Sequence, residues 1–121
     1  MAKFLTKLNV EEISDTAWMV MSPLVIETDY GQTISVPAGF ITDFASVPRL
    51  PMVFTIFGDT AHQAAVVHDY LYSVEAFPRA SADSIFLSAM KATSVAAWRR
   101  YPMFLAVRIF GGVLRGKLHV N

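Results

Sequence analysis

The hydrophobic period of this chain changes once, near Gly58-Asp59, and that change limits what it can fold into. Before it, apolar residues come in short β-branched runs separated by turn chemistry. Residues 18–28 form one such run, with Pro23 inside it marking an edge strand or a bulge. Asp29-Tyr30-Gly31-Gln32 reads as a turn, and residues 33–36 alternate apolar with polar, as a strand with one buried face does. A β-hairpin is predicted. Pro37 and Gly39 punctuate the chain after it, and Phe40-Ile41-Thr42 leads to Asp43. Residues 43–51 have loop composition, and residues 52–57 fit a short strand or a buried turn.

After the change the spacing is helical. Thr60-Ala61-His62-Gln63 fits a capping box, a hydroxyl N-cap with Gln three residues on. The spacing predicts helices over 60–74 and 80–92, joined by a connection with Pro78 near the second helix start. Ser94 is placed to cap a third stretch over 95–100. Pro102 should break or restart that helix, and Gly111-Gly112 should stop it. The expected class is α+β. A β-hairpin or small antiparallel sheet packs on an antiparallel helical hairpin, with a C-terminal helical segment. One domain is expected over 1–121, β-rich and looped to residue 58 and helical from 59. Apolar residues at 54% and charged residues at 17% argue against disorder. The absence of cysteine excludes a disulfide scaffold, a zinc ribbon and a thiol nucleophile.

The formal net charge of zero hides an asymmetry. Residues 1–83 hold all ten acids and four of the bases, whereas residues 84–121 hold six bases and no acid. Either the two halves attract and fold on one another, or the basic end faces phosphate. Nucleic acid is the weaker expectation, because aromatics interleaved with the bases stop at Trp98 and Tyr101. No signal peptide or membrane-spanning run is apparent, so a cytoplasmic origin is expected.

The chemistry concentrates in His68-Asp69-Tyr70-Leu71-Tyr72, inside the first predicted helix. Two adjacent ionisable residues in an apolar helix cost free energy unless they are paired. His68 and Asp83 stand equidistant from the connection, so an antiparallel pair of helices places them opposite one another. Asp83 can then accept from Nδ1–H of His68, leaving Nε2 as a base. Tyr72, one turn on, can steady the same carboxylate. Asp43 and Asp69 could supply oxygens to a hard cation, with the Phe44 carbonyl among the remaining ligands, as in calcium sites. Each residue also has a plainer reading. Asp83 in a first helical turn suits the helix dipole, His68 can be a satisfied core histidine, and Asp43 can form a turn. Tyr70 and Tyr72 can be core.

The segments Gly39-Phe40-Ile41-Thr42-Asp43-Phe44-Ala45-Ser46-Val47-Pro48-Arg49 and His68-Asp69-Tyr70-Leu71-Tyr72, with Arg79, Asp83, Phe86 and Met90, resemble a family of phage and prophage proteins. That family is a domain of unknown function, number 1353. The resemblance covers residues 36–112 and implies a tailed-phage origin. His68, Asp69, Tyr72 and Asp83 also resemble, in order, the helical-hairpin site of secreted phospholipase A2. Asp43 looks like a calcium-loop carboxylate of its bacterial members. The disulfides and glycine-rich calcium loop of those enzymes are missing here. The resemblance implies a calcium-dependent acyl-ester hydrolase with His68 as base, Asp83 and Tyr72 supporting it, and Asp43, Phe44 and Asp69 as metal ligands. The expectation is a virion protein of the tail or tail tip, located in the virion or in the host cytoplasm before assembly. Its expected partners are other virion proteins, a phospholipid surface and further copies of itself. The alternative is a non-catalytic phage assembly protein in which the same cluster stabilises the fold.

Overall fold

A computed structural model describes residues 2–14, 17–42, 62–74 and 76–119, excluding the side chains of Phe110 and residues 113–119. It contains two three-stranded antiparallel sheets and three helices, the expected α+β class. The strands are β1 (Lys3–Phe4), β2 (Val10–Ser14), β3 (Ala17–Val20), β4 (Leu24–Glu27), β5 (Thr33–Val36) and β6 (Ile41–Thr42). The sheet orders are β1-β4-β5 and β2-β3-β6.

The predicted hairpin is β4 and β5, with Leu24 opposite Val36 and Glu27 opposite Thr33. Gly31 closes its turn at φ 77°, a conformation that glycine adopts without a Cβ penalty. The strand expected over 18–28 is instead two strands in different sheets. Pro23 lies between β3 and β4 and has no N–H to continue a ladder, so the chain changes sheet there. β1 and β2 are additions to the sequence reading. β1 is two residues long, and four of the five residues of β2 are exposed, so neither has an apolar alternation to read. Leu24, Ile26 and Val36 point inward and are fully buried, each stabilising the fold by roughly 1.5–3 kcal/mol.

The helices are α1 (His62–Ser73), α2 (Arg79–Ala92) and α3 (Ala97–His119). α1 packs on α2, α3, β5 and β6 and is buried nearly all round, as its apolar composition requires. The expected capping residue Thr60 lies outside the described residues. Pro78 is the N-cap of α2, in extended backbone. Asp83 is therefore the fifth residue of α2, beyond the first turn where dipole stabilisation would account for it.

Ser94 does not cap a third helix. It takes a left-handed φ of 64° and ends α2, while the Val95 N–H donates back to Met90 O at 2.9 Å. The Ala96 carbonyl starts α3 by accepting from Arg99 and Arg100 N–H groups. α3 runs through both Pro102 and Gly111-Gly112. Pro102 stands near the helix start and removes one internal donor without ending it. Gly111 is held in the helix by packing: a Cβ there would collide with the Tyr72 hydroxyl and lie 3.0 Å from Arg79 Nη1. No helix among the described residues is long and apolar enough to cross a membrane.

Candidate functional site

Both His68 on α1 and Asp83 on α2 have wholly buried side chains. His68 Nε2 lies 2.7 Å from Asp83 Oδ1, as the antiparallel hairpin predicts. The Tyr72 hydroxyl donates to the same oxygen at 2.5 Å. Arg108, from α3, donates through Nη1 to Asp83 Oδ2 at 2.9 Å, and Arg79 Nη1 stands 3.8 Å from that oxygen. Arg79 also donates to the Val107 and Arg108 carbonyls at 3.2 and 3.1 Å, clasping α3 to the start of α2. The His68 ring lies between Tyr72 and Phe86, with centroids 4.1 and 4.7 Å away.

The electrostatics fix the protons. Burial pushes the Asp83 carboxyl up, but hydrogen bonds from His68, Tyr72 and Arg108 outweigh it and hold the pKa below the ordinary range. Burial lowers the His68 pKa, and the pull of Asp83 compensates incompletely. Burial first, and then the bond to Asp83, raises the Tyr72 pKa. At neutral pH the state is a carboxylate, a neutral imidazole and a phenol. A carboxylate can only accept, so Nε2 carries the imidazole proton. Nδ1 is left as a bare lone pair, buried and without a hydrogen-bond partner among the described residues.

This reverses the expected roles of the ring nitrogens. Nε2 is the far nitrogen of the side chain and reaches across the interhelical gap to Asp83, while Nδ1 stays close to α1. Tyr72 takes the place predicted for it. The sequence reading missed Arg108 as a partner of Asp83. The contact spans 25 residues between helices, and no local motif records it.

Of the candidate metal ligands, Asp43 and Phe44 lie outside the described residues, as does Arg49. Asp69 is buried, and its Oδ2 accepts from Thr42 Oγ1 at 2.6 Å. No group of three His, Asp or Glu side chains suited to a metal occurs among the described residues. Asp69 by itself is too small a donor set for calcium, which takes six to eight oxygens. Two surface clefts lie away from the cluster. One, of about 460 Å³, is lined by Asp29, Ser81, Ser84 and Ser88, and the other, of about 700 Å³, by Lys3, Lys7, His62 and Thr93.

Comparison with curated proteins and with solved structures gave no match. A family model described as protein of unknown function (DUF1353) matches residues 18–107. The match runs from Trp18 in β3 into the first half of α3, with His68, Asp69, Tyr72 and Asp83 inside it and Arg108 one residue beyond its end. The chain therefore belongs to the DUF1353 family of proteins of unknown function.

Proposed function

We propose that this protein is a phage-borne hydrolase of lipid acyl esters, carried in the tail or tail tip, with His68 as its general base. The observation that supports the chemistry is the bare Nδ1 of a neutral imidazole whose other nitrogen is bound to a buried carboxylate. Nδ1 would take a proton from water as the water oxygen attacks the ester carbonyl carbon. Collapse of the tetrahedral adduct breaks the acyl carbon–oxygen bond, and the imidazolium returns its proton to the departing alkoxide. Asp83 would orient the ring and stabilise the imidazolium, and Tyr72 and Arg108 would keep Asp83 ionised and in place. The lipid ester, the tailed-phage setting and a calcium ion on Asp43, Phe44 and Asp69 come from the resemblances. The described residues do not supply a cation site, so no step passes through one.

A second reading has its own support. His68 and Asp83 are wholly buried, and both oxygens of Asp83 are engaged. A closed network of this kind can exist to fix the register of three helices in an assembly protein.

Fatty-acid release from phospholipid vesicles, with added calcium and with chelator, separates the two. The catalytic reading expects His68→Gln to lose about 100- to 10,000-fold in rate while folding normally. It expects Asp83→Asn to keep part of the activity, because the base remains. Release absent from the parent chain with and without calcium, together with lowered melting temperatures in both variants, establishes the structural reading.

A further inference from the structure

We infer that the solvent face of α3 is a docking surface for an anionic lipid bilayer. Trp98, Tyr101, Leu105 and Ile109 follow one another at offsets of three and four, so they form a single stripe along the helix. They are 63, 50, 56 and 69% exposed. Met103, Val107 and Gly111 occupy the opposite side and are buried. α3 is thus apolar toward the core and apolar toward water, and a face of the second kind marks a surface that something covers.

Charge identifies what covers it. Within the described helical half, residues 62–74 and 76–119, the carboxylates are Asp69 and Asp83, and both are buried. The exposed acids Glu11, Glu12, Glu27 and Asp29 belong to the β half. Arg108 is neutralised by Asp83, but Lys91, Arg99 and Arg100 have no carboxylate partner among the described residues. Among the described residues, Arg108 with Asp83 is an ion pair that joins the basic C-terminal part to the acidic part of the chain. Lys91 is exposed on α2, and Arg99 and Arg100, half-buried, stand at the Trp98 end of the apolar stripe.

The aromatic end of the stripe adds a second signature. The Arg99 guanidinium stands 4.8 Å from the Trp98 ring and that of Arg100 5.3 Å from Tyr101. Amphipathic rings paired with cations suit the headgroup layer, with Leu105 and Ile109 further along to enter the acyl boundary. A stable protein partner takes about 20–30 residues a side with matched shape. A convex single file of four side chains suits a fluid surface better. The inference does not depend on hydrolysis, since docking is read as binding.

The test is co-sedimentation of the full chain with vesicles of phosphatidylglycerol and phosphatidylcholine, and with phosphatidylcholine alone. Binding to the anionic vesicles is expected, weaker on the neutral ones and weakened by salt. The double variant Leu105→Glu, Ile109→Glu should partition about tenfold less or lower with an unchanged melting temperature, because both side chains face water. Lys91→Gln with Arg99→Gln should remove the preference for anionic lipid and leave the weak neutral binding. Failure to bind anionic vesicles at low salt, or equal binding by the Glu variant, overturns the inference. So does self-association in sedimentation velocity that the Glu variant abolishes without any vesicle binding, which would make a second copy the occupant.

Discussion

Tyr72 does two jobs in one side chain. Its ring fills the core between His68 and the α3 backbone, and its hydroxyl is one of three donors on Asp83. Tyr72→Phe keeps the first job and removes the second. Asp83 keeps its bonds to His68 and Arg108, so the fold should survive with a loss of about 1.5–3 kcal/mol, the usual worth of a hydrogen bond to a charged group. Chemical denaturation measures this, and an unchanged midpoint would mean that Arg108 and His68 suffice to hold the carboxylate. At this scale the sequence was legible for His68, Tyr72 and Asp83, because helical spacing and a short connection bring them together. Arg108 was not legible. Its position depends on how α3 crosses the hairpin, and residue spacing carries no signal for that.

At the level of elements, α3 is where local rules and packing disagree. Gly111-Gly112 reads as a helix stop and is helix interior. The two glycines are there under different constraints. Gly111 is buried against the Tyr72 hydroxyl and Arg79, whereas Gly112 has open space where a Cβ would go. The same substitution should therefore have opposite signs one residue apart. Gly112→Ala should stabilise by up to about 1 kcal/mol through helix propensity. Gly111→Ala gains the same propensity but forces Tyr72 or α3 to move, so overpacking of about 1–3 kcal/mol should dominate. Thermal melts of the two variants give the comparison, and stabilisation by Gly111→Ala would mean that α3 can slide away from α1 without cost. Pro23 and Ser94 show the same conflict between local rule and packing. Proline in an apolar run marked a change of sheet, and a serine set to begin a helix ended one, because the neighbouring pairing decided each outcome.

Across the whole molecule, the buried cluster links stability to pH, and the direction follows from its two lowered pKa values. A group with a lower pKa in the folded than in the unfolded chain contributes stability above its unfolded value. That contribution is lost as pH falls toward the folded value. His68 is such a group because burial disfavours the imidazolium, and its unfolded value is about 6.5. Asp83 is another, because its three donors favour the carboxylate, and its unfolded value is about 3.9. Stability should therefore hold level on the alkaline side of about pH 7 with respect to these groups. It should then decline from about pH 6.5 as unfolded His68 takes up a proton, by at most about 1.4 kcal/mol per pH unit. A second decline should begin near pH 4 as Asp83 of the unfolded chain takes up a proton while the folded carboxylate stays ionised. His68→Gln does not titrate, so its melts should lose the first decline and keep the second. Asp83→Asn should show the reverse at the lower step. Melting curves of the parent and both variants, taken from pH 8 down to about pH 3, resolve the two windows. A parent chain whose melting temperature rises between pH 7 and pH 5 would mean that folded His68 binds its proton more tightly than the unfolded chain does. The burial argument that keeps Nδ1 unprotonated would then fail, and the neutral-base chemistry proposed for it would lose its support together with the linkage.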